Sequence, residues 1–326
     1  MDTGTHVVMG LSLGGLATID PTIANDPLLP TSIMIATIIG SQAPDFDTIL
    51  KLRNNAVYIR NHRGITHSLP AILLWPLLIT GGIITFTPET NWPLVLLWSF
   101  IAVFLHVFVD IFNAYGTQAL RPISNKWIAL GVINIFDPFI FFSHLAAFSL
   151  WAFGTPTGPT FLVLYIVLIL YYTWRIYEKK KVVQHAKKLH SDATHVFVSP
   201  SIRWNQWHLV IRTPELLFVA ESRNNEIEYF EQYSFDPIPD IPVINTARKD
   251  SNLDAFLSFS PTYRWEVEDK DDMIEVRFID LRYRSKGHYP FVAIVQLDEN
   301  LNIISSYTGW VFSEETLQKK LNVITE

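Results

Sequence analysis

The chain contains no cysteine among its 326 residues. This absence excludes a disulfide framework, a thiolate metal site and a cysteine nucleophile. The sequence also lacks a phosphate-binding glycine loop, a GxSxG nucleophile elbow and an HExxH zinc helix. Histidine and the acidic residues therefore remain as the side chains most able to bind a metal or carry out chemistry.

The first half of the chain has little charge. Residues 1–174 carry 14 Asp, Glu, Lys and Arg residues, whereas residues 175–326 carry 42. A soluble domain has about 25% charged residues, so only the second part has the composition of a soluble surface. This contrast excludes a single soluble enzyme domain. The net charge of −6 is spread without a basic stripe, so no nucleic-acid partner is expected.

Long apolar stretches predict a membrane domain. They lie at residues 7–19, 31–43, 69–86, 93–112, 128–153 and 159–174. Because crossing the hydrocarbon takes roughly 17 to 25 residues, the last four are predicted to span the membrane. The first two are short and glycine-rich, which favours close helix packing or a re-entrant hairpin. The predicted fold class is an α-helical multi-pass membrane domain, with four clear spans plus a short N-terminal helical pair, followed by a smaller, mainly β cytoplasmic domain.

The positions of the basic residues predict an orientation. Lys and Arg occur in segments 44–68 and 113–127 and after residue 174, and none occurs in 20–30, 87–92 or 154–158. Short cytoplasmic loops are enriched in these residues. We therefore expect both termini to lie in the cytoplasm.

The predicted domains are a helical membrane domain over 1–174, a basic linker helix over 175–193 and a soluble strand-rich domain over 194–326. Alternating apolar residues at 194–198, 207–211, 273–278 and 291–295 indicate antiparallel strands. A proline-rich segment at 236–242 interrupts them, and a short closing helix is expected from Glu314. The Lys179–Lys181 cluster suits contact with anionic lipid headgroups or, more simply, flanks the last span.

Ionisable residues among the apolar stretches point to a functional site, because each costs roughly 2.5 to 3.5 kcal/mol to insert into a membrane. In the predicted orientation, most of the histidines and aspartates of this half face one side of the membrane. His106 and Asp110 are four residues apart, so one helix face presents both to a single ion. The alternative is that Asp110 only orients the imidazole.

The loops before and after these helices add further candidates. His62 and His67 flank Gly64 within a segment that also contains Arg63, whose guanidinium suits a phosphate or carboxylate. The alternative for Arg63 is a positive-inside residue. Asp45 and Asp47, two residues apart, suit metal binding, or Asp47 caps a helix beginning at Thr48. Asp137-Pro138 is either functional or an ordinary helix start.

Together these motifs resemble those of the YdjM-type family of membrane-bound metal-dependent hydrolases, which is also described as LexA-binding and inner-membrane-associated. The resemblance covers about residues 1–175. It rests on Asp2–His6, Pro44–Asp47, His62–Ser68, His106–Asp110 with Asn113 and Gly116, and Asp137-Pro138. It implies a multi-pass protein of the bacterial cell membrane with a metal-dependent hydrolase site, and His and Asp ligands favour a divalent metal there, Zn or Mn. The implied ligands are His6, Asp45, His62, His67, His106, Asp110 and Asp137.

The function predicted from the sequence is metal-dependent hydrolysis of an ester at the cytoplasmic interface. Membrane lipid is the expected environment, and a phosphoester or lipid headgroup is the expected substrate, with Asp47 as general base and Arg63 beside the reacting group. The alternative is a non-enzymatic membrane anchor with a structural metal site, whose C-terminal domain binds a cytoplasmic protein. Transport through the His/Asp cluster is disfavoured, because the acids crowd one side of the membrane.

Overall fold

The computed structural model describes residues 1–270 and 273–322. Residues 271, 272 and 323–326 of the predicted soluble domain lie outside the described residues. Contacts divide the chain into two compact units. The first unit comprises Met1–Asp47, Arg63–Lys180 and Pro200–Trp204, and the second comprises Thr48–His62, Lys181–Ser199 and Asn205–Glu326.

The α-helices in the described part of the chain are α1 (Thr3–Ala17), α2 (Pro21–Ala24), α3 (Leu29–Gly40), α4 (Asn55–Asn61), α5 (Leu69–Phe86), α6 (Trp92–Asp110), α7 (Pro138–Ala152), α8 (Thr157–Leu189), α9 (Pro242–Ala247), α10 (Ser251–Phe259) and α11 (Glu314–Asn322). Two 3₁₀ segments cover Ala43–Leu52 and Ile65–His67. The strands are β1 (His195–Pro200), β2 (Gln206–Arg212), β3 (Leu216–Arg223), β4 (Glu226–Ser234), β5 (Tyr263–Lys270), β6 (Met273–Asp280), β7 (Phe291–Leu297) and β8 (Ile303–Trp310).

Helix α6 lies between two apolar cores of the first unit and contributes to both. Val109 packs with residues of α1, α7 and α8, among them Met9, Ile140 and Phe161. Val103, one and a half turns earlier, packs with Ile33 of α3 and Ile79 of α5. Side chains four or seven residues apart lie on the same face of a helix, whereas side chains six residues apart lie on different faces. Val103 and Val109 can therefore pack in different cores. This position also brings the end of α6 against the segments that follow α3 and precede α5.

Three helices within the described residues, α5, α6 and α8, are long and apolar enough to cross a membrane. Helices α3 and α7 are apolar but shorter, at 12 and 15 residues. The predicted count of four spans is therefore not confirmed. The stretch 128–153 does not form one continuous helix, because it is helical only from Pro138 to Ala152.

Asp137 and Pro138 explain why helix α7 begins late. The Asp137 side chain accepts hydrogen bonds from the backbone N–H groups of Phe139 and Ile140, at 3.0 and 3.2 Å, and Pro138 occupies the first turn. The preceding residues bond elsewhere. Leu130 and Val132 donate their backbone N–H groups to the carbonyls of Ile111 and Phe112, each at 2.7 Å. The hydropathy pattern predicted a helix here because the side chains are apolar. Tertiary hydrogen bonds instead satisfy the backbone N–H groups of this stretch.

The second unit contains two four-stranded antiparallel sheets in the described residues, with strand orders β1-β2-β3-β4 and β5-β6-β7-β8. The proline-rich segment separates them along the chain, as predicted. The predicted strands correspond to β1, β2, β6 and β7, and the closing helix begins at Glu314. The second sheet packs against α9 and α10, with Ile244, Phe256, Phe278 and Phe291 in its core.

Helix α4 is separated from the second unit along the sequence but packs inside it. Ile59 of α4 contacts the apolar core of the second sheet. The Asn55 side-chain amide donates hydrogen bonds to Tyr307 Oη and the Thr308 carbonyl, at 3.2 and 3.1 Å. Gly309 permits this approach, because a Cβ there would lie 2.6 Å from Asn55 Nδ2. The chain therefore leaves the first unit after Asp47 and rejoins it at Arg63.

Candidate metal centre

Four side chains from three places in the sequence converge in the first unit. Helix α6 supplies His106 and Asp110, one turn apart. Asp45 lies in the 3₁₀ segment that follows α3, and His67 ends the 3₁₀ segment that precedes α5. One ligand-type atom of each residue lies within 4.8 Å of the corresponding atoms of the other three.

The distances between these atoms fit one small cation. His106 Nε2 lies 3.3 Å from His67 Nε2. Asp45 Oδ1 is 3.5 Å from His67 Nε2 and 3.7 Å from His106 Nε2, and Asp110 Oδ2 is 3.7 Å from each of these nitrogens. Tetrahedral ligation with bonds of about 2.0–2.2 Å places ligand atoms about 3.3–3.6 Å apart. The cluster can therefore hold a metal ion.

Unsatisfied buried atoms support the same conclusion. Within the described residues, Asp45 Oδ1 and Asp110 Oδ2 are buried and accept no hydrogen bond, although Asp110 Oδ2 forms an ion pair with Arg63. Burying an acceptor without a partner is costly. A cation among these oxygens and imidazoles would compensate for that cost, and the nitrogen and oxygen donor set suits Zn or Mn.

His6 extends the cluster on the far side of Asp110. Its ring stacks on that of His106, with centroids 3.8 Å apart, and its Nε2 lies 3.4 Å from Asp110 Oδ1. Both His6 ring nitrogens are buried and lack a hydrogen bond within the described part of the chain. Arg63 Nη2 is 3.2 Å from Asp110 Oδ2, and the Met1 amino group contacts Asp110 Oδ1. Asp110 therefore lies next to His6 through Oδ1 and next to His67 and His106 through Oδ2.

Two polar groups orient the imidazoles from behind. The Ser41 carbonyl oxygen lies 2.6 Å from His106 Nδ1, and Thr66 Oγ1 lies 3.1 Å from His67 Nδ1. Such contacts direct the opposite nitrogen, Nε2, toward the cluster. Sequence reasoning missed the contribution of Ser41, because a backbone carbonyl carries no residue-type signal.

Asp47 lies on the Nδ1 side of His67 and holds the loop together. Its Oδ2 accepts hydrogen bonds from the Arg63 backbone N–H at 2.9 Å and from Thr66 Oγ1 at 2.7 Å. Arg63 has a φ of +60°, a conformation that a residue with a Cβ rarely adopts without support. The general-base role predicted for Asp47 remains a prediction, and these contacts favour a positioning role.

Electrostatics keep the ligands in their metal-binding protonation states. Burial lowers the pKa of His67 to about 3, and Asp45 offsets only part of this effect. The imidazole is therefore neutral near pH 7 and has a lone pair available. Burial by itself would raise the pKa of Asp45, but the imidazoles of His106 and His67 hold it well below its usual range. Asp45 therefore remains a carboxylate.

Asp45 is also the accessible member of the four. Its side chain is 17% exposed, whereas the side chains of His67, His106 and Asp110 are buried. A molecule that reaches the cluster therefore meets the Asp45 side first.

The structure does not bring every predicted ligand into this group. His62 belongs to the second unit, where it caps α4 and stacks on Tyr58 with centroids 4.6 Å apart. Asp137 caps α7, and its Oδ2 accepts a 2.8 Å hydrogen bond from Tyr171 Oη. These contacts favour the helix-start alternative for Asp137. Metal binding by either residue remains a prediction.

Comparisons with known proteins agree with the motifs. The model of a family described as "YdjM inner membrane protein" matches residues 1–182. Models of the YfhP middle domain and the YfhP C-terminal alpha/beta plait domain match residues 191–233 and 242–321. The chain is 53% identical over 324 residues to the uncharacterized protein YfhP of Bacillus subtilis (strain 168), covering 99% of each chain. No solved structure matches. With its apolar helices, this chain is a membrane protein that belongs to the YdjM family.

Proposed function

We propose that the protein is a membrane-bound metal-dependent hydrolase of an ester, with a phosphoester or lipid headgroup as substrate. The observation that carries this proposal is the cluster of His67, His106, Asp45 and Asp110, in which the ligand atoms all lie within 4.8 Å of one another and Asp45 is partly exposed. When bound, a divalent ion supplies Lewis acidity and lowers the pKa of water to near neutrality.

The surrounding residues fit that chemistry. His67 and His106 direct their Nε2 atoms toward the cluster, and the Ser41 carbonyl and Thr66 hydroxyl keep both rings oriented. The Arg63 guanidinium is buried beside Asp110, where a positive charge stabilises the anionic ligands and favours an anionic substrate group. We place the site on the cytoplasmic side of the membrane, following the distribution of Lys and Arg.

Metal analysis of detergent-purified protein tests the proposal. We expect bound Zn or Mn in the wild type and its loss in His67→Ala, because the substitution removes one of four ligands. His144→Ala is the matched control. His144 is also a buried imidazole of the first unit, but its Nδ1 lies 2.7 Å from the Ile140 carbonyl of its own helix, and it is not part of the cluster.

The substrate class is tested with the same three proteins. Wild type and His144→Ala should hydrolyse members of a panel of phosphoesters and lipid esters, and His67→Ala should not. Unchanged metal content in His67→Ala would show that the cluster is not the metal site.

A second candidate function is a membrane anchor whose metal is structural. A set of four protein ligands is typical of structural zinc sites, whereas catalytic zinc sites usually have three. In that case the cytoplasmic domain would bind a protein partner. Stoichiometric metal in a wild-type protein that hydrolyses no member of the panel would favour this candidate.

A further inference from the structure

An apolar groove runs between α3 and α5 on the first unit, with a volume of about 710 Å³. Its walls include Ile35 and Ile39 of α3, and Leu78 and Gly82 of α5. The volume is within the range of about 300–1,000 Å³ that holds small ligands. The lining is almost wholly apolar, so the groove suits a hydrocarbon chain.

The groove has the length of one membrane leaflet. On α5 it extends from Trp75 to Phe86, eleven residues apart, or about 17 Å at 1.5 Å per residue. One leaflet is half of a hydrocarbon core that is about 30 Å thick. Helix α5 is one of the three candidate membrane spans. An acyl chain of a lipid in one leaflet would therefore fit along it.

One end of the groove is lined by residues that are close in sequence to the metal centre. Ala43 and Phe46 line this end, and they flank Asp45, the exposed member of the cluster. Trp75 lines the opposite wall, and its indole Nε1 donates a 3.3 Å hydrogen bond to the Thr66 carbonyl, one residue before His67. A chain in the groove would thus have one end near the segments that carry Asp45 and His67.

The groove also opens toward the surface that lipid would cover. Ile35, Ile39 and Leu78 are 45%, 46% and 56% exposed on helices of a membrane protein. We infer that the groove binds one acyl chain of a membrane lipid, so that the substrate is an acylated amphiphile cleaved near its headgroup. This inference rests on the proposed function and names its substrate class.

Adjacent glycines in α5 provide a matched test. A Cβ added at Gly81 or Gly82 would meet no described atom within 4 Å, yet only Gly82 is among the lining residues of the groove. Replacing glycine by leucine also favours the helix. Gly82→Leu should therefore fill the groove without unfolding α5, and Gly81→Leu should leave the groove open.

The probe is a phosphatidylglycerol with a photoactivatable diazirine on one acyl chain, in nanodiscs of phosphatidylethanolamine and phosphatidylglycerol. Illumination followed by peptide mass spectrometry should label segments 28–46 and 75–87 in wild type and Gly81→Leu. Gly82→Leu should lose most of this labelling and retain its metal. Equal labelling of the two leucine variants would overturn the inference.

Two further readouts distinguish failure of the hydrolase proposal from failure of the lipid-binding inference. If the wild type holds no metal but shows groove labelling that Gly82→Leu abolishes, the hydrolase proposal fails while lipid binding stands. The cysteine-free chain also allows a single Gly82→Cys variant. Disulfide-linked dimers of Gly82→Cys but not Gly81→Cys would assign the groove to a second copy of the chain and overturn lipid as its occupant.

Discussion

The orientation of each imidazole depends on a residue that is not itself one of the four candidate ligands. His67 is the clearer example, because Asp47 and Thr66 form a hydrogen-bonded pair behind it. Asp47 also bonds the backbone of Arg63, which closes the loop before His67. Groups that orient ligands commonly change metal affinity by 10- to 100-fold. Metal affinity therefore distinguishes a positioning role of Asp47 from a role in proton transfer.

We predict that Asp47→Ala weakens metal binding by about 10- to 100-fold, because Thr66 and the Arg63 backbone lose their shared acceptor. Competition with a chelator, read by elemental analysis, measures the affinity. Asp47→Asn keeps one carbonyl oxygen and should be less affected.

The predicted general-base role gives the opposite pattern. A base that only accepts a proton would leave metal affinity unchanged in Asp47→Ala and reduce the turnover of metal-loaded enzyme. That result would reject the positioning role and restore the expectation from the sequence.

Helices α1 and α3 pack closely near the end of α3, just before the segment that carries Asp45. Gly10 faces α3, and a Cβ there would lie 2.8 Å from the Thr37 carbonyl and 3.0 Å from the Ile38 Cα. Backbone atoms of a packed helix cannot move aside as a side chain can. The glycine-rich sequence favours close packing or a re-entrant hairpin, and these contacts match the first alternative.

We predict that Gly10→Ala destabilises the membrane half and lowers its metal content. The added methyl group would force α1 away from α3, and overpacking of this kind costs about 1–3 kcal/mol. Thermal unfolding in detergent measures the change. Gly81→Ala is the control, since its methyl group enters open space. Equal melting temperatures for the two variants would contradict tight packing at Gly10.

Hydropathy and alternation predicted most elements but not every boundary. Helices α5, α6 and α8 follow from long apolar stretches, and strands β1, β2, β6 and β7 follow from alternating apolar residues. The late start of α7 depends on hydrogen bonds from the 128–137 segment to the end of α6, which no local pattern encodes. The His/Asp motifs likewise pointed to the cluster, whereas the Ser41 carbonyl depends on tertiary structure alone.

The two compact units of the whole molecule interrupt each other in sequence. Residues 48–62 fold with the second unit, although Asp47 and Arg63 on either side belong to the first. The residues on either side of this segment are close together, since the Arg63 backbone N–H donates a 2.9 Å hydrogen bond to the Asp47 carboxylate. A single division at residue 174 could not detect it, because residues 48–62 lie far from that boundary and their three basic residues, Lys51, Arg53 and Arg60, are equally typical of a loop between apolar helices.

We predict that ending the chain at Lys180 damages the membrane half unless residues 48–62 are also replaced. Without the second unit, α4 loses the partners of Asn55 and the core that covers Ile59, leaving an apolar face exposed. A short Gly/Ser linker should span the gap, because its ends already meet and short-loop closure costs little. Thermal unfolding and elemental analysis of the two truncated chains make the comparison. The chain with the linker should be more stable and retain more metal, whereas equal behaviour would mean that residues 48–62 do not depend on the second unit.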